Sequence, residues 1–356
     1  MSTYIIIGLT PQGLSMLRIL SKAGHHVIAF TNSKKTVGYY SKYGNKRIFK
    51  DIEDLKGQIL FITKSSHEKI NCIITSGELL ARILTDYQEL YEICNVQSGP
   101  LSLLQILAHK DQMYHFAKSR GLHCAKYSLL SEYKTGTLNF PVILKRNYEI
   151  PLFFKIKKID SEPDLFTFIE KIKKEDYNHI LIQEYIFDDT AINISYQDYF
   201  INDIGRCPFI CNQERRLISG ITSYLKEIKD ATVNKMIINE AALFFKGSGY
   251  EGFAELEFLY SQKNKTIYFI EINTRTCGLH SVLNHKFANL SALYNNINNP
   301  PEIIENPQLI TWINIARDIK ARLQTKDFNN LFQFFTAKYD ILDWHDLKPF
   351  IYQLFK

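Results

Sequence analysis

Residues 252–275 restrict this chain more than any other stretch. They read GFAELEFLYSQKNKTIYFIEINTR: two apolar runs, residues 253–260 and 266–272, on either side of the polar segment 261–265. Apolar positions flanking a short polar turn predict a β-hairpin. Residues two apart on a strand share a face, so Glu255 and Glu257 point to one side of the first strand, and Glu271 and Asn273 share a side of the second. Pairing around the turn can bring Glu257 close to Glu271, and two carboxylates that close repel unless a cation stands between them. Hard divalent ions such as Mg²⁺ take one or two carboxylates together with phosphate oxygens, and Glu257, Glu271 and Asn273 form a candidate platform of that kind. Arg275, further along the same face, would reach phosphate oxygens. The competing reading is an ordinary solvated strand face with its charges outward.

The two segments GFAELEF and FIEINTR resemble the metal-binding end of the ATP-grasp ligases, in particular the branch that holds the carbamoyl phosphate synthetase large subunit and D-aspartate ligase-like enzymes. The resemblance implies that ATP is bound and that Glu257, Glu271 and Asn273 hold one or two Mg²⁺ ions, with Mn²⁺ as a substitute. The family's Asn-Pro-Arg stands here as Asn273-Thr274-Arg275. The fold class implied is α/β (α+β), an ATP-grasp fold behind an N-terminal Rossmann-like pre-ATP-grasp domain. The divisions expected are 1–95 for that domain, 96–180 for a small lid subdomain, 181–300 for a catalytic subdomain and 301–356 for a C-terminal appendage.

The chain in order supports an α/β reading. Residues 4–8 are an apolar run of the kind buried on both faces in a parallel sheet; a helical pattern (Leu14, Leu17, Leu20) and a second strand at 26–30 follow. The turn between them spaces its glycines G-x-x-x-x-G, which is not the dinucleotide-binding fingerprint. Helices are expected over 55–64, 78–92, 163–174 and 231–245, and an antiparallel strand pair over 191–203. Residues 75–78, Thr-Ser-Gly-Glu, read as a strand-to-helix turn, of the kind that borders the second substrate in the family.

The resemblance extends to further positions. Lys110, before the helix that ends at Gly121, is the counterpart of a lysine that contacts ATP phosphates, with His109 where the family has Asp. Lys145 closes PVILK, residues 141–145, and an ammonium inside an apolar strand is costly unless it meets an anion. Residues 147–151, NYEIP, replace the family's glycine-rich loop, so the lid closes differently or the lysines and arginines carry more of the grip. Gln183, Glu184, Tyr185 and Ile186 match the strand that offers backbone N–H and C=O groups to adenine, with a carboxylate for the ribose. Arg215 and Arg216 resemble the basic position that steadies the transferring phosphoryl group, which one facing inward being open, and residues 219–222 the small-residue turn after it. Arg275 is the third arginine of the set. His280 reads as a surface histidine or, less simply, as a substrate contact. Residues 295–301 are a polar connector.

Composition sets outer bounds. The 356 residues are 46% hydrophobic and 22% charged, which excludes a disordered or fibrous chain. The net charge of +6 is spread along the length, permitting an anionic ligand without the concentrated basic stripe of a nucleic-acid binder. No apolar run approaches the roughly 18 residues of a membrane span, the first residues carry no charged stretch ahead of the apolar run, and a cytoplasmic protein is expected. Cys72, Cys94, Cys124, Cys207, Cys211 and Cys277 read as reduced thiols, and Cys207 with Cys211 lacks a second pair for a zinc site. The activity implied is ATP-dependent joining of a small-molecule carboxylate to an amine through an acyl phosphate, on an amino acid or amino-acid-bearing metabolite. No nucleic-acid or membrane partner is expected, and a homodimer is left open. The alternatives are a nucleotide-binding sensor or partner protein without ligase chemistry and, on the first domain alone, an NAD-linked oxidoreductase.

Overall fold

The first apolar run becomes β1 (Thr3–Ile7), in which Tyr4, Ile5, Ile6 and Ile7 have no exposed surface in the computed structural model of the protein. The structure describes residues 2–66, 68–148, 152–188, 190–218, 220–295, 301–304 and 308–355. A strand dry on both faces belongs in a parallel sheet covered by helices. That sheet is completed by α1 (Pro11–Lys22), β2 (His26–Thr31), β3 (Asn45–Ile48), α2 (Ile52–Thr63), β4 (Ile70–Ile74), α3 (Gly77–Asp86), the short α4 (Leu90–Ile93) and β5 (Cys94–Val96), its five parallel strands in the order β3-β2-β1-β4-β5. Asp51 and Ser76 cap α2 and α3 by accepting from the N–H groups of Asp54 and Leu79, which otherwise lack partners. The helix expected over 78–92 ends at Asp86, where Tyr87 leaves helical geometry (φ −146°, ψ 49°) and buries its ring.

The turn after β1 leaves no room for a side chain at either of its glycines. Gly8 has φ +106°, and a Cβ on Gly13 would stand 2.1 Å from the Gly8 carbonyl oxygen. Gly13→Ala is expected to lower stability by about 1–3 kcal/mol, the usual cost of forcing a methyl group into occupied space. An unchanged denaturant midpoint would show that the turn yields.

After β6 (Ser98–Gly99) and α5 (Leu101–Leu107), residues 105–193 and 257–272 form one compact unit, and residues 1–104, 194–256 and 273–356 another. The smaller unit contains α6 (Lys110–Ser119) and an antiparallel sheet of β7 (Tyr127–Leu129), β8 (Val142–Arg146), β9 (Ile156–Ile159) and β10 (Ile180–Glu184), ordered β7-β10-β8-β9, with α7 (Glu162–Ile169) against β9. Val142, Leu144, Leu165, Ile180 and Ile182 make its core. α7 ends before the expected residue 174 because tighter turns, Lys171 N–H to the Phe168 carbonyl and Ile172 N–H to the Ile169 carbonyl, take over while still burying Ile172.

In place of the strand pair expected over 191–203 there is one long strand, β11 (Ala191–Ile201). It turns at Asn202 and Asp203, both with positive φ, into β12 (Ile204–Gly205). Then come β13 (Phe209–Arg216), β14 (Thr222–Glu227), α8 (Ala231–Phe245), β15 (Glu251–Ser261), β16 (Thr266–Asn273), β17 (Thr311–Ile313), α9 (Ile315–Thr325), α10 (Gln333–Thr336), β18 (Lys338–Tyr339) and α11 (Lys348–Leu354). The main sheet runs β16-β15-β11-β13-β14-β17-β18, with β12 on β11 and β6 on β15.

The C-terminal segment, expected as an appendage, is part of the larger unit's core. Trp312 is fully buried among Tyr4, Leu17, Phe209 and Leu225, its indole N–H donating to Ser281 Oγ at 2.7 Å. Asp346 accepts from Arg18 Nε at 2.9 Å and ties the last residues to α1. Among the described residues no helix is long and apolar enough to cross a membrane. Residues 149–151 of the glycine-free loop, Ser219 of the small-residue turn and residues 296–300 of the polar connector lie outside the described residues.

Candidate active site

Lys145 is the most tightly confined cation of the smaller unit. Alternation along β8 turns it inward, register opposite Leu181 of β10, and leaves it 6% exposed. Its Nζ donates to Tyr114 Oη at 2.7 Å and to Gln183 Oε1 at 2.8 Å. Burial strips water from the ammonium and the neighbouring Lys110 charge adds to the cost, while Glu271, Cys124 and Glu257 offset part of it; the balance holds the pKa down at about 7. Lys110, the first residue of α6, pairs with Glu271 Oε1 at 2.7 Å. Asn147 secures that helix start, accepting from Lys110 N–H at its carbonyl and from Asp111 N–H at its side-chain oxygen, 2.9 Å. Nothing in the sequence singles out Tyr114, and Asn147 stands out there only as the first residue of the glycine-free loop.

The segment expected to face adenine is partly committed elsewhere. The N–H groups of Glu184 and Tyr185 donate to the carbonyls of Lys126 and Pro141, each at 2.9 Å, so neither is free to meet a base edge. The Glu184 carboxylate accepts from the N–H and Nδ2 of Asn139. Tyr185, half-buried, stacks on Phe187 with ring centroids 5.1 Å apart; Ile186 is also half-buried. Gln183 Nε2 is buried without a partner among the described residues.

The larger unit holds a second polar cluster. Glu255 on β15 is 5% exposed, accepting from Ser195 Oγ of β11 at 2.6 Å and from Asn273 Nδ2 at 3.1 Å. Arg275 donates to Asn273 Oδ1 at 2.9 Å and to the Thr276 carbonyl at 3.0 Å. Burial pushes the Glu255 carboxyl up, opposed by the Ser195 hydrogen bond, the Arg275 charge, the Asn273 hydrogen bond and the Arg216 charge. Arg275 also lies against the start of α3: a Cβ on Gly77 would stand 3.0 Å from its Nε. Gln197 Nε2 and Thr276 Oγ1, in the same unit, are buried without partners among the described residues.

Adjacent positions on β13 send the two arginines apart. Arg216 bears on Glu255 and donates to the Gly220 carbonyl at 2.7 Å. Arg215 instead meets Asp318 at 2.7 Å and Gln333 at 3.1 Å, its guanidinium over the Tyr224 ring. The structure therefore brings Arg216, Asn273 and Arg275 together and gives Arg215 a structural pairing. His280 is no surface residue: it is 1% exposed, hydrogen-bonded through Nε2 to Tyr294 Oη at 3.1 Å, and burial holds its pKa down at about 3. A neutral core imidazole of this kind packs rather than contacts substrate.

Residues 213–286, from within β13 to beyond the end of β16, match the family described as carbamoyl-phosphate synthase L chain, ATP binding domain. Among solved structures, N5-carboxyaminoimidazole synthetase from Staphylococcus aureus complexed with ADP superimposes with a TM-score of 0.70 at 16% identity, covering 91% of this chain and 85% of that one. This is an ATP-grasp fold. The same ATP-grasp likeness extends to the biotin carboxylase domain dimer of Hydrogenobacter thermophilus 2-oxoglutarate carboxylase, in complex with MgADP, ADP and bicarbonate (TM-score 0.70, 13% identity, 87% of this chain and 73% of that one). It includes Campylobacter jejuni biotin carboxylase in a β,γ-ATP complex (TM-score 0.65, 14% identity, 85% of this chain and 72% of that one). No curated protein matches the chain in sequence.

The side chains on this ATP-grasp hairpin suit a hard cation only with help. Among the described residues, no three His, Cys, Asp or Glu side chains are grouped to hold a metal by themselves. Glu257 and Glu271 both act on the Lys145 ammonium, and Asn273 ends the strand that carries Glu271. Two carboxylates such as Glu257 and Glu271 suit Mg²⁺ when phosphate and water oxygens complete the shell.

Proposed function

We propose that the chain is a cytoplasmic, ATP-dependent carboxylate-amine ligase that acts on an amino acid or an amino-acid-bearing metabolite, releasing ADP and phosphate. The observation that carries this reading is Lys145, an ammonium desolvated until its pKa is about 7 and set beside Lys110, Glu271 and Glu257. Such a group is costly until an anion arrives, and the solved structures of this fold cited above name ADP, one of them with bicarbonate as well. A carboxylate cannot acylate an amine directly because oxide would have to leave. Attack of its oxygen on the γ-phosphorus breaks the bond to ADP and gives an acyl phosphate. The amine then attacks the acyl carbon, phosphate leaves, and the amine loses a proton.

Each residue has a part in that sequence. Lys110 and Lys145 hold phosphate oxygens, Arg216 and Arg275 offset charge on the moving phosphoryl group, and residues 183–186 border the adenosine through groups other than the Glu184 and Tyr185 N–H. Glu257, Glu271 and Asn273 would hold Mg²⁺, which supplies charge neutralisation across the phosphates when bound. The partners are two small molecules, with a homodimer of the kind named for the Hydrogenobacter domain.

The test is ADP release with pooled carboxylates and pooled amines, followed by mass analysis of the product. ADP formation that needs both pools is the expected result. Tight ATP binding with no turnover across the panel would replace the ligase with a nucleotide-binding sensor.

A further inference from the structure

Glu255 is a buried carboxylate that the reaction sequence above does not use. A carboxylate taken out of water is costly unless its oxygens are well satisfied, and an apolar residue in its place often serves stability as well or better. Both oxygens are engaged: Ser195 donates to Oε1 at 2.6 Å and Asn273 Nδ2 to Oε2 at 3.1 Å. The other end of the Asn273 amide accepts from Arg275 at 2.9 Å.

A carboxamide has two unlike ends, and its neighbours decide which way it faces. Here the amide NH₂ lies on a carboxylate and the amide oxygen on a guanidinium. Turned over, it would set oxygen against carboxylate and NH₂ against guanidinium, two repulsive pairs, one of them against the buried Glu255. Only the oxygen of Asn273 can bind a cation. Resting on the ligase reading, we propose that Glu255 is a positioning residue: with Ser195 behind it, it locks the Asn273 amide so that Oδ1 faces the Arg275 side as a divalent-cation ligand. The role is confined to orientation. Glu255 has no direct part in the transfer, and its own hydrogen-bond donors come from the sheet rather than from substrate.

The test needs no turnover. Mn²⁺ is titrated into protein with ADP, and free Mn²⁺ is read by its electron paramagnetic resonance signal. Glu255→Gln keeps the shape of the side chain while removing the fixed acceptor, and is expected to weaken Mn²⁺ binding by roughly 10–100-fold, the usual cost of losing a partner behind a metal ligand. ADP affinity without metal is expected to stay as in the wild type. A symmetric carboxylate needs no orienting, so adding Asn273→Asp to Glu255→Gln is expected to recover most of the Mn²⁺ affinity. Ser195→Ala, the milder change, is expected to weaken binding in the same direction, and it carries the test should Glu255→Gln unfold. A wild-type chain that binds no Mn²⁺ with ADP overturns the ligase reading and this inference together. Wild-type binding matched by Glu255→Gln, or by Ser195→Ala where that carries the test, overturns the inference alone, as does a double variant no better than Glu255→Gln.

Discussion

Lys145→Met is expected to lower ADP formation by about 10²–10³-fold, the usual cost of removing one preorganised group that stabilises transition-state charge, and to abolish proton uptake on nucleotide binding near pH 8. Lys145 is nearly out of reach of water and its pKa is about 7, so at pH 8 the free protein holds most of it neutral. The groups facing it are Tyr114 and Gln183 in direct contact and Lys110, Glu271, Cys124 and Glu257 through space. A polyphosphate brought beside it favours the charged form, so binding draws a proton from solution. Calorimetry of ADP binding in two buffers of different ionisation enthalpy would read close to one proton taken up at pH 8 and close to none at pH 6, where the lysine is already charged. The same depressed pKa sets a stability trend. The unfolded chain keeps the proton up to about 10.5 while the folded chain releases it near 7, so the penalty of burying the charge is full below pH 7. It fades as pH rises through that window, and stability from this group rises with pH there. Lys145→Met should flatten both trends. Equal proton uptake in wild type and variant would remove Lys145 from the phosphates.

How much of this was legible in the sequence depended on whether the cause was local. The hairpin of β15 and β16 is written in alternation around one polar turn, and its two strands formed within two residues of the expected bounds. Lys145 stood out because an ammonium among Val142, Ile143 and Leu144 has no other reason to be there. What failed depended on distant packing. His280 looks exposed among Leu279 and Ser281, yet Phe253 and Tyr294 close over it from elsewhere in the chain. Trp312 falls in the segment expected as a C-terminal appendage, yet β17 joins β14 and carries it into the core beside β1. Glu255 was visible as a face-mate of Glu257, but its partner Ser195 lies on another strand, and nothing near it in sequence announces a hydrogen bond.

The Arg215 and Arg216 pair shows the same limit and yields the last prediction. Sequence places two guanidiniums side by side, and strand alternation sends them to opposite faces without saying which face is which. The answer lies in Asp318, which has no exposed surface and accepts from Arg215 and Arg322, each at 2.7 Å, and from Ser223 at 3.0 Å. Arg322, 2% exposed, is bound further to Gln333, which Arg215 also reaches. Asp318→Ala would strand two guanidiniums around an empty centre, and the expected loss is about 3–5 kcal/mol, the range for breaking a buried ion pair from one side. Chemical denaturation of the variant reads it directly. Arg215→Met should likewise lose stability while folded molecules keep their ADP formation, because its partners are structural. Arg216→Ala should lose turnover with a smaller shift in denaturant midpoint than Asp318→Ala, because its charge acts on Glu255 beside Asn273 and Arg275. If folded Arg215→Met were inactive and Arg216→Ala fully active, the assignment of faces on β13 would be inverted, and Arg215 would have to leave Asp318 during the reaction.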